Sequence, residues 1–181
     1  PTRRSSDLYI NGNKLNKVTH SYNLNQTDNV VELIWNNNID DCQFIFYHCY
    51  DITEIDLSSF DASKCTSVWC MFHYCSMLTS LNLSNFNTSQ VTDMHFMFCG
   101  CSTITSLNLS NFNTSQVTNM YSMFLGCSSL TSLNLSNFDT SLVINMDNMF
   151  YSCINLEYIN LKNFEENNLT SYSDMFYNIP D

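Results

Sequence analysis

The chain has 181 residues and carries 17 acidic against 6 basic residues, a formal net charge of −11. Hydrophobic residues make up 44% and aromatic residues 14%, which excludes a disordered chain and suffices for one domain with a real core. The scattered acidic residues and the lack of a basic stripe argue against nucleic-acid binding, and no apolar run approaches the ~18 residues of a membrane-spanning helix.

The first eight residues differ in character from the rest of the chain. Pro1–Leu8 reads PTRRSSDL, begins without Met, and matches one reading frame of a sequencing-library adapter. We therefore expect residues 1–8 to be an artefact that takes no part in the fold. On that expectation the natural N-terminus and any signal region are missing from this fragment.

Residues 9–53 are predicted to form an N-terminal cap followed by a divergent first repeat. Tyr9–Asn29 shows no repeated positions, and together with Val30–Trp35 it is expected to form strands that close the N-terminal end of a repeat core. Val31, Phe46 and Cys49 already keep the spacing of the later copies.

Residues 54–181 contain five copies of a 26-residue repeat. The segment SLNLSNFNTSQVT occurs at Ser80–Thr92 and again at Ser106–Thr118, and a near copy follows at Ser132–Ile144. We call positions that lie one repeat length apart a column, and several columns hold one residue type throughout. One repeat cannot bury its own apolar face, so the copies are expected to stack as a solenoid.

Each copy shows two apolar periods. Leu133 and Leu135 alternate with polar residues, which indicates a short strand. The next apolar residues are spaced like one face of a helix, and Asp139 precedes them as a capping residue. These residues are Val143, Met146, Met149, Phe150 and Cys153.

The repeat resembles a known family. Leu130, Leu133 and Leu135 are similar to the first apolar positions of the leucine-rich repeat. More specifically, NFNTSQVTNMYSMFLGCSSLTSLNL (Asn111–Leu135) resembles the 26-residue repeat of the bacterial surface-protein (BspA-like) leucine-rich-repeat family. The resemblance covers residues 54–181. It implies an α/β repeat, a right-handed leucine-rich-repeat solenoid with short parallel strands on one face, short helices on the other and an N-terminal β cap. It also implies a secreted or cell-surface adhesion protein.

The nine cysteines leave several hypotheses open. The column of Cys49, Cys75, Cys101, Cys127 and Cys153 is expected to be buried as small hydrophobic side chains, because disulfides between parallel stacked side chains fit poorly. Cys42 and Cys65 are expected in the core. No metal site is predicted; the alternative is a zinc site of Cys70, His73 and Cys99, which lacks a fourth ligand, or a Cys70–Cys99 disulfide.

Binding residues are expected where the copies differ, since a specific site breaks a repeat. The candidate partner-binding residues, on the predicted exposed helix face, are Trp69, His95, Phe96, Tyr121 and Tyr151. The alternative is a polar strand face that either satisfies its own hydrogen bonds or binds a glycan. Its residues are Asp56, Asn82, Asn108, Asn134 and Asn160.

The sequence favours a non-enzymatic module. No serine has a histidine and an acid at matching positions, so no catalytic residue and no cofactor are predicted. The first hypothesis is a cell-surface or secreted repeat module that binds a protein or glycan and occurs as a monomer or part of a longer chain. The alternatives are a purely structural spacer of a larger surface protein and, less favoured, a hydrolase on a solenoid scaffold. Glu54 and Asp56, the adjacent acidic pair, would be solvated.

Overall fold

The computed structural model describes residues 6–14, 30–35, 39 and 41–180. The chain forms two compact units, Pro1–Ile39 and Asp40–Asp181. The described residues contain no helix long and apolar enough to cross a membrane.

The first unit contains a three-stranded antiparallel sheet. Its strands are β1 (Ser6–Ile10), β2 (Asn13–Lys14) and β3 (Val31–Trp35), in the order β2-β1-β3. The turn between β1 and β2 is Asn11-Gly12, with φ of 50° and 77°, the residue pair that a two-residue turn with both φ values positive prefers. Because β1 begins at Ser6, it includes part of the stretch we predicted to be an artefact. That prediction and the predicted capping role stay predictions.

The second unit is a stack of repeat copies joined in parallel register. Strands β4 (Glu54–Asp56) and β5 (Ser80–Asn82) pair in parallel with an offset of one repeat length, and so do β6 (Ser132–Asn134) and β7 (Tyr158–Asn160). The equivalent residues 106–108 form no strand. A second column of parallel bridges runs through five copies without interruption. It consists of Ser67, Asp93, Asn119, Asn145 and Ser171.

The predicted α/β leucine-rich-repeat solenoid is wrong, because the described residues contain no helix. The segment from Val143 to Cys153, which we expected to be helical, consists mainly of turns. Its backbone amides alternate between two kinds of acceptor. Every second amide donates to a carbonyl of the next copy, and the two residues are separated by one residue less than the repeat length. Most of the amides between them donate to the carbonyl three residues earlier in the same copy, and each such bond closes a turn. In the copy that contains Trp69, the bonds to the next copy run from Val68, Cys70, Phe72 and Tyr74 to Asp93, His95, Met97 and Cys99, at 3.0, 3.2, 2.9 and 2.7 Å.

Left-handed residues separate these turns and explain why they imitate a helical pattern. Two columns have positive φ, and their members in one copy are Cys70 (54°) and Tyr74 (57°). A positive φ at the third position of a four-residue turn reverses the chain, so the first and fourth residues of each turn point to the same side. The turns Val68–Met71 and Phe72–Cys75 therefore bury their end residues at a spacing of three, which matches a helix face.

The core is formed by columns of identical side chains. The phenylalanine column is ordered by nearly parallel ring stacking, with ring centroids 5.5–5.6 Å apart, and includes Phe72, Phe98 and Phe124. The cysteine column runs beside it as free thiols, and four of its Sγ atoms donate to phenylalanine carbonyls of the preceding copy at 3.1–3.2 Å. Burial raises the pKa of Cys75 to about 12, so this thiol stays protonated and packs as an apolar group.

Two further contacts join the copies. The hydroxyl of Thr114, which is buried, donates to the carbonyl of Asp139 at 3.0 Å and accepts from the Asp139 amide at 2.8 Å. The same double contact occurs at Thr88 and Thr140. Cys42 and Cys65 are both buried, as expected of core residues, but they are joined as a disulfide with their Cα atoms 5.7 Å apart, which we had not predicted.

The glycines of the second positive-φ column test this account of the turns. Gly100 and Gly126 have φ of 74° and 71°, so alanine at either position carries the left-handed cost of ~1–2 kcal/mol. A Cβ at Gly100 would also lie 2.7 Å from the Tyr74 ring, whereas one at Gly126 meets nothing closer than 3.9 Å. We therefore expect Gly100→Ala to lower the free energy of unfolding by about 1–3 kcal/mol more than Gly126→Ala, measured by urea denaturation.

The double variant Tyr74→Ala/Gly100→Ala isolates the contact between the ring and the backbone. It removes the ring that the new Cβ would meet. In the Tyr74→Ala background, Gly100→Ala should therefore lower the free energy of unfolding by no more than Gly126→Ala does in the wild-type chain. Equal losses for the two single glycine variants would show that the Tyr74 ring does not restrict this position.

Candidate partner-binding face

One cluster of rings crosses four successive copies on the side of the stack formed by the turns. We call it the aromatic face. Neighbouring rings lie 3.9–5.6 Å apart between centroids, so the cluster is continuous. It consists of Phe44, Tyr47, His48, Trp69, His73, Tyr74, His95, Phe96 and Tyr121.

The backbone hydrogen bonds between neighbouring copies position these rings. Trp69 and His95 share a column, and their rings stack with centroids 4.6 Å apart and an interplanar angle of 25°. On its other side the Trp69 ring contacts Phe44 at 4.7 Å. Tyr47 and His73 share the neighbouring column and stack at 5.2 Å. Phe44, Tyr47 and Tyr74 are exposed, so the cluster forms part of the protein surface.

The structure brings together four of the five residues predicted to bind a partner. Trp69, His95, Phe96 and Tyr121 form one chain of ring contacts and are half-buried. Tyr151 instead stacks on Tyr177 at 4.8 Å, in a separate pair. These residues lie on turns, not on a helix as expected.

The first copy contributes more rings than the sequence reasoning found. Phe44 belongs to the column of Cys70, and His48 belongs to the column of Tyr74. Extending these two columns into the divergent copy would have identified both residues. No local signal indicates that Tyr50 also contacts this cluster at its edge, with its ring 5.1 Å from the His48 ring and its hydroxyl 2.8 Å from Nδ1 of His48.

His95 has a carboxylate partner, Asp93, on its own copy. Its Nδ1 lies 2.6 Å from Oδ1 of Asp93, which also accepts from the His95 backbone amide at 3.1 Å. Among the described residues, no serine, threonine or cysteine lies within hydrogen-bonding distance of the His95 ring. The Asp93 carboxylate therefore fixes the orientation of this ring within the face, and the pair lacks the third group that acyl transfer requires.

The alternative site of Cys70, His73 and Cys99 is mostly buried. Burial raises the pKa of Cys70 to about 11, helped by the nearby Asp93 and opposed by the Trp69 indole, and it raises the pKa of Cys99 to about 12. Both thiols are free. Within the described ranges, no group of three or more histidine, cysteine or acidic side chains is arranged to hold a metal ion.

The polar strand face is built from side chains that bond within their own copies and that are exposed, except for half-buried Asn160. The Asn82 Oδ1 atom accepts from the Ser84 amide at 3.1 Å, and the same bond two residues along recurs at Asp56, Asn108, Asn134 and Asn160. The bond from the Ser58 amide is the main cause that lowers the pKa of Asp56. These carbonyl and carboxylate oxygens are therefore used to shape the turn after the strand.

An open polar cleft lies near the C-terminal copies. Its lining includes Asn137, Asp139, Lys162 and Glu165. The cleft is wide and shallow, and it lacks the enclosed apolar wall that small-molecule sites have. We assign no ligand to it.

These observations define a class: a repeat protein whose copies stack through a parallel ladder of turns and whose surface departs from the repeat at one aromatic face. A family model described as "Mycoplasma protein of unknown function, DUF285" matches residues 13–106, 40–133 and 103–181. The chain belongs to this family. Comparisons with curated proteins and with solved structures gave no match.

His73 makes the stability of the aromatic face depend on pH. Burial, and then the neighbouring His48, lower the pKa of His73 from 6.5 to about 4. Its Nδ1 atom is buried and has no hydrogen-bond partner among the described residues. The remaining groups packed against the ring, Tyr47, Tyr74 and Phe96, supply no countercharge.

We therefore expect acid to destabilise this part of the chain. The unfolded chain takes up the His73 proton more readily than the folded chain, so the stability that neutral His73 provides is complete above about pH 6.5 and is lost as the pH falls towards 4. His73→Phe should reduce the drop in melting temperature between about pH 7 and about pH 5. A drop as large as that of the wild-type chain would contradict the assignment. His20→Phe is the control for the loss of one histidine, because His20 is not among the residues that define the aromatic face.

Proposed function

We propose that the chain is a non-enzymatic repeat module that binds a protein or glycan partner through its aromatic face. The observation that carries this proposal is the continuous ring cluster in a unit built mainly from repeat copies. Exposed aromatic side chains in a contiguous patch are a recurrent feature of binding surfaces, because rigid rings bury a large apolar area at little entropic cost. The polar strand face is less favoured, since its side-chain oxygens already accept backbone hydrogen bonds.

A cell-surface or secreted location is part of the same proposal. Its support is the resemblance of Asn111–Leu135 to the BspA-like surface-protein repeat. The non-enzymatic character is supported by the chemistry of the aromatic face, where the described part of the chain places no nucleophile beside the His95–Asp93 pair. A purely structural spacer is the competing function, and it predicts that no surface of the chain binds a ligand.

The double variant Trp69→Ser/Phe96→Ser tests the proposal. The Trp69 column contains Ser173 and the Phe96 column contains Ser122, so both substitutions introduce residues that the repeat already accommodates. We expect peptides selected from a random display library, or sugars from a glycan array, to bind the wild-type chain. The double variant should weaken this binding by about tenfold or more, measured by calorimetry.

Two control variants separate the possible outcomes. Tyr158→Ser/Tyr172→Ser removes two exposed aromatic rings elsewhere, with 59% and 64% of their surface accessible, and should leave binding unchanged. Asn108→Ala/Asn134→Ala alters the polar strand face. Binding that is lost only in the asparagine variant would transfer the function to that face, and a wild-type chain that binds nothing would favour the spacer.

A further inference from the structure

We propose that the partner of the aromatic face is a positively charged protein segment with apolar or aromatic side chains that pack against the exposed rings. This inference rests on the proposed function and adds the charge and chemistry of the partner. Three observations lead to it: the charge of the unit, the acidic residues in the face, and the way the rings are stacked.

The unit that contains the face is strongly acidic. Between residues 40 and 181 the sequence has 14 acidic residues and only two basic residues, Lys64 and Lys162. Neither lysine is part of the ring cluster: Lys64 is near Asp61, and Lys162 lines the C-terminal cleft. An excess of this size attracts cationic partners over long range and speeds their association.

Two carboxylates hold negative charge at the face itself. Asp93 is fixed against the His95 ring by the 2.6 Å contact. Asp147 follows Trp69, His95 and Tyr121 in one column, so the row of rings ends at a carboxylate. The Ser171 hydroxyl donates to both oxygens of Asp147 at 2.6 Å and holds it in place. A partner that lies along this row meets apolar rings first and then a negative charge.

Ring stacking determines which part of each ring is available. The Trp69 ring contacts Phe44 at 4.7 Å and stacks on His95 at 4.6 Å, and the rings of Tyr47, His48 and His73 lie 3.9–5.4 Å from one another. Because the rings pack against one another, they do not form an open cage for a lone cation, and the exposed parts of Phe44, Tyr47 and Tyr74 remain for apolar contacts. The face therefore suits a segment that combines apolar anchors with basic residues, in which the anchors contact the exposed ring surfaces and the basic residues lie near the carboxylates.

The same charges disfavour two other macromolecular ligands. Anionic lipid surfaces and nucleic acids repel an acidic unit, and both are normally bound by clustered basic residues. A neutral glycan can donate hydroxyl hydrogen bonds to Asp93 and Asp147, but it gains no attraction from the net charge of the unit. A basic protein segment is the ligand that uses both the rings and the charge.

The test uses three synthetic peptides of equal length with leucine and tryptophan at the same positions. The remaining positions are filled with lysine and arginine in the first peptide, glutamate in the second and serine in the third. Fluorescence anisotropy measures their binding to the full chain. We expect the basic peptide to bind at least about tenfold more tightly than either of the others. Its affinity should fall as salt is added, because salt screens exposed charges beyond about 10 Å at 0.1 M.

Variants of the chain show whether the binding uses the face. Trp69→Ser/Phe96→Ser should weaken binding of the basic peptide by about tenfold, and Tyr158→Ser/Tyr172→Ser should not. Asp147→Asn removes charge from the face and keeps an acceptor for Ser171, and it should weaken binding by about threefold. Asp139→Asn is the matched control outside the face, because Asn113 occupies the same column; it should have no effect.

The outcomes separate the charge inference from the proposed function. If the serine or glutamate peptide binds as tightly as the basic one and Trp69→Ser/Phe96→Ser abolishes this binding, the charge inference is overturned and the proposed face survives. If the basic peptide binds wild type and Trp69→Ser/Phe96→Ser equally, its attraction is general to the acidic unit and the charge inference fails at this face. If no peptide binds, the charge inference is overturned, and the library and array screen decides the proposed function.

Discussion

The second unit depends on one constraint: every second amide of the turn segment must find its acceptor at a fixed position in the next copy. In the copy that contains Trp69, the amides from Val68 to Tyr74 meet this requirement, and most of the amides between them close turns within the copy. An inserted or deleted residue would shift all of these bonds at once. The constant length of the repeat is therefore a condition for satisfying the buried backbone groups.

The columns of the core follow from the same register. Once the backbone is aligned, the ring of Phe98 can only meet the rings of Phe72 and Phe124, and the Cys101 thiol reaches the carbonyl of Phe72. A side chain that suits one copy then suits the next, so identical residues accumulate in columns. The residues of the proposed binding face, such as Trp69 and Tyr121, occupy half-buried positions at which the copies differ.

The sequence predicted the repeat and most of its buried positions but implied the wrong local backbone. Cys75, Cys101, Cys127 and Cys153 are buried as expected, although Cys49 of the same column is only half-buried. The helix was wrong because two consecutive turns bury side chains at the same spacing as a helix. The difference is the positive φ at residues such as Cys70, and only the glycines of the second positive-φ column hint at it in the sequence. The Cys42–Cys65 disulfide joins residues of two different columns, and a comparison of residues within one column does not reveal such a pair.

The ladder also explains how a surface of varied side chains becomes a defined face. The repeat spacing predicts that Trp69 lies beside His95, but it does not predict that Phe96 turns its ring towards Tyr121 in an edge contact at 5.0 Å. That contact depends on the left-handed backbone at Phe96, with φ of 56°. Because backbone bonds between copies fix residues such as Trp69, His95 and Phe96, their rings would lose little freedom on binding the proposed partner. A face that is ordered before binding loses less conformational entropy on association, which favours the proposed binding through a modest apolar area and two fixed carboxylates.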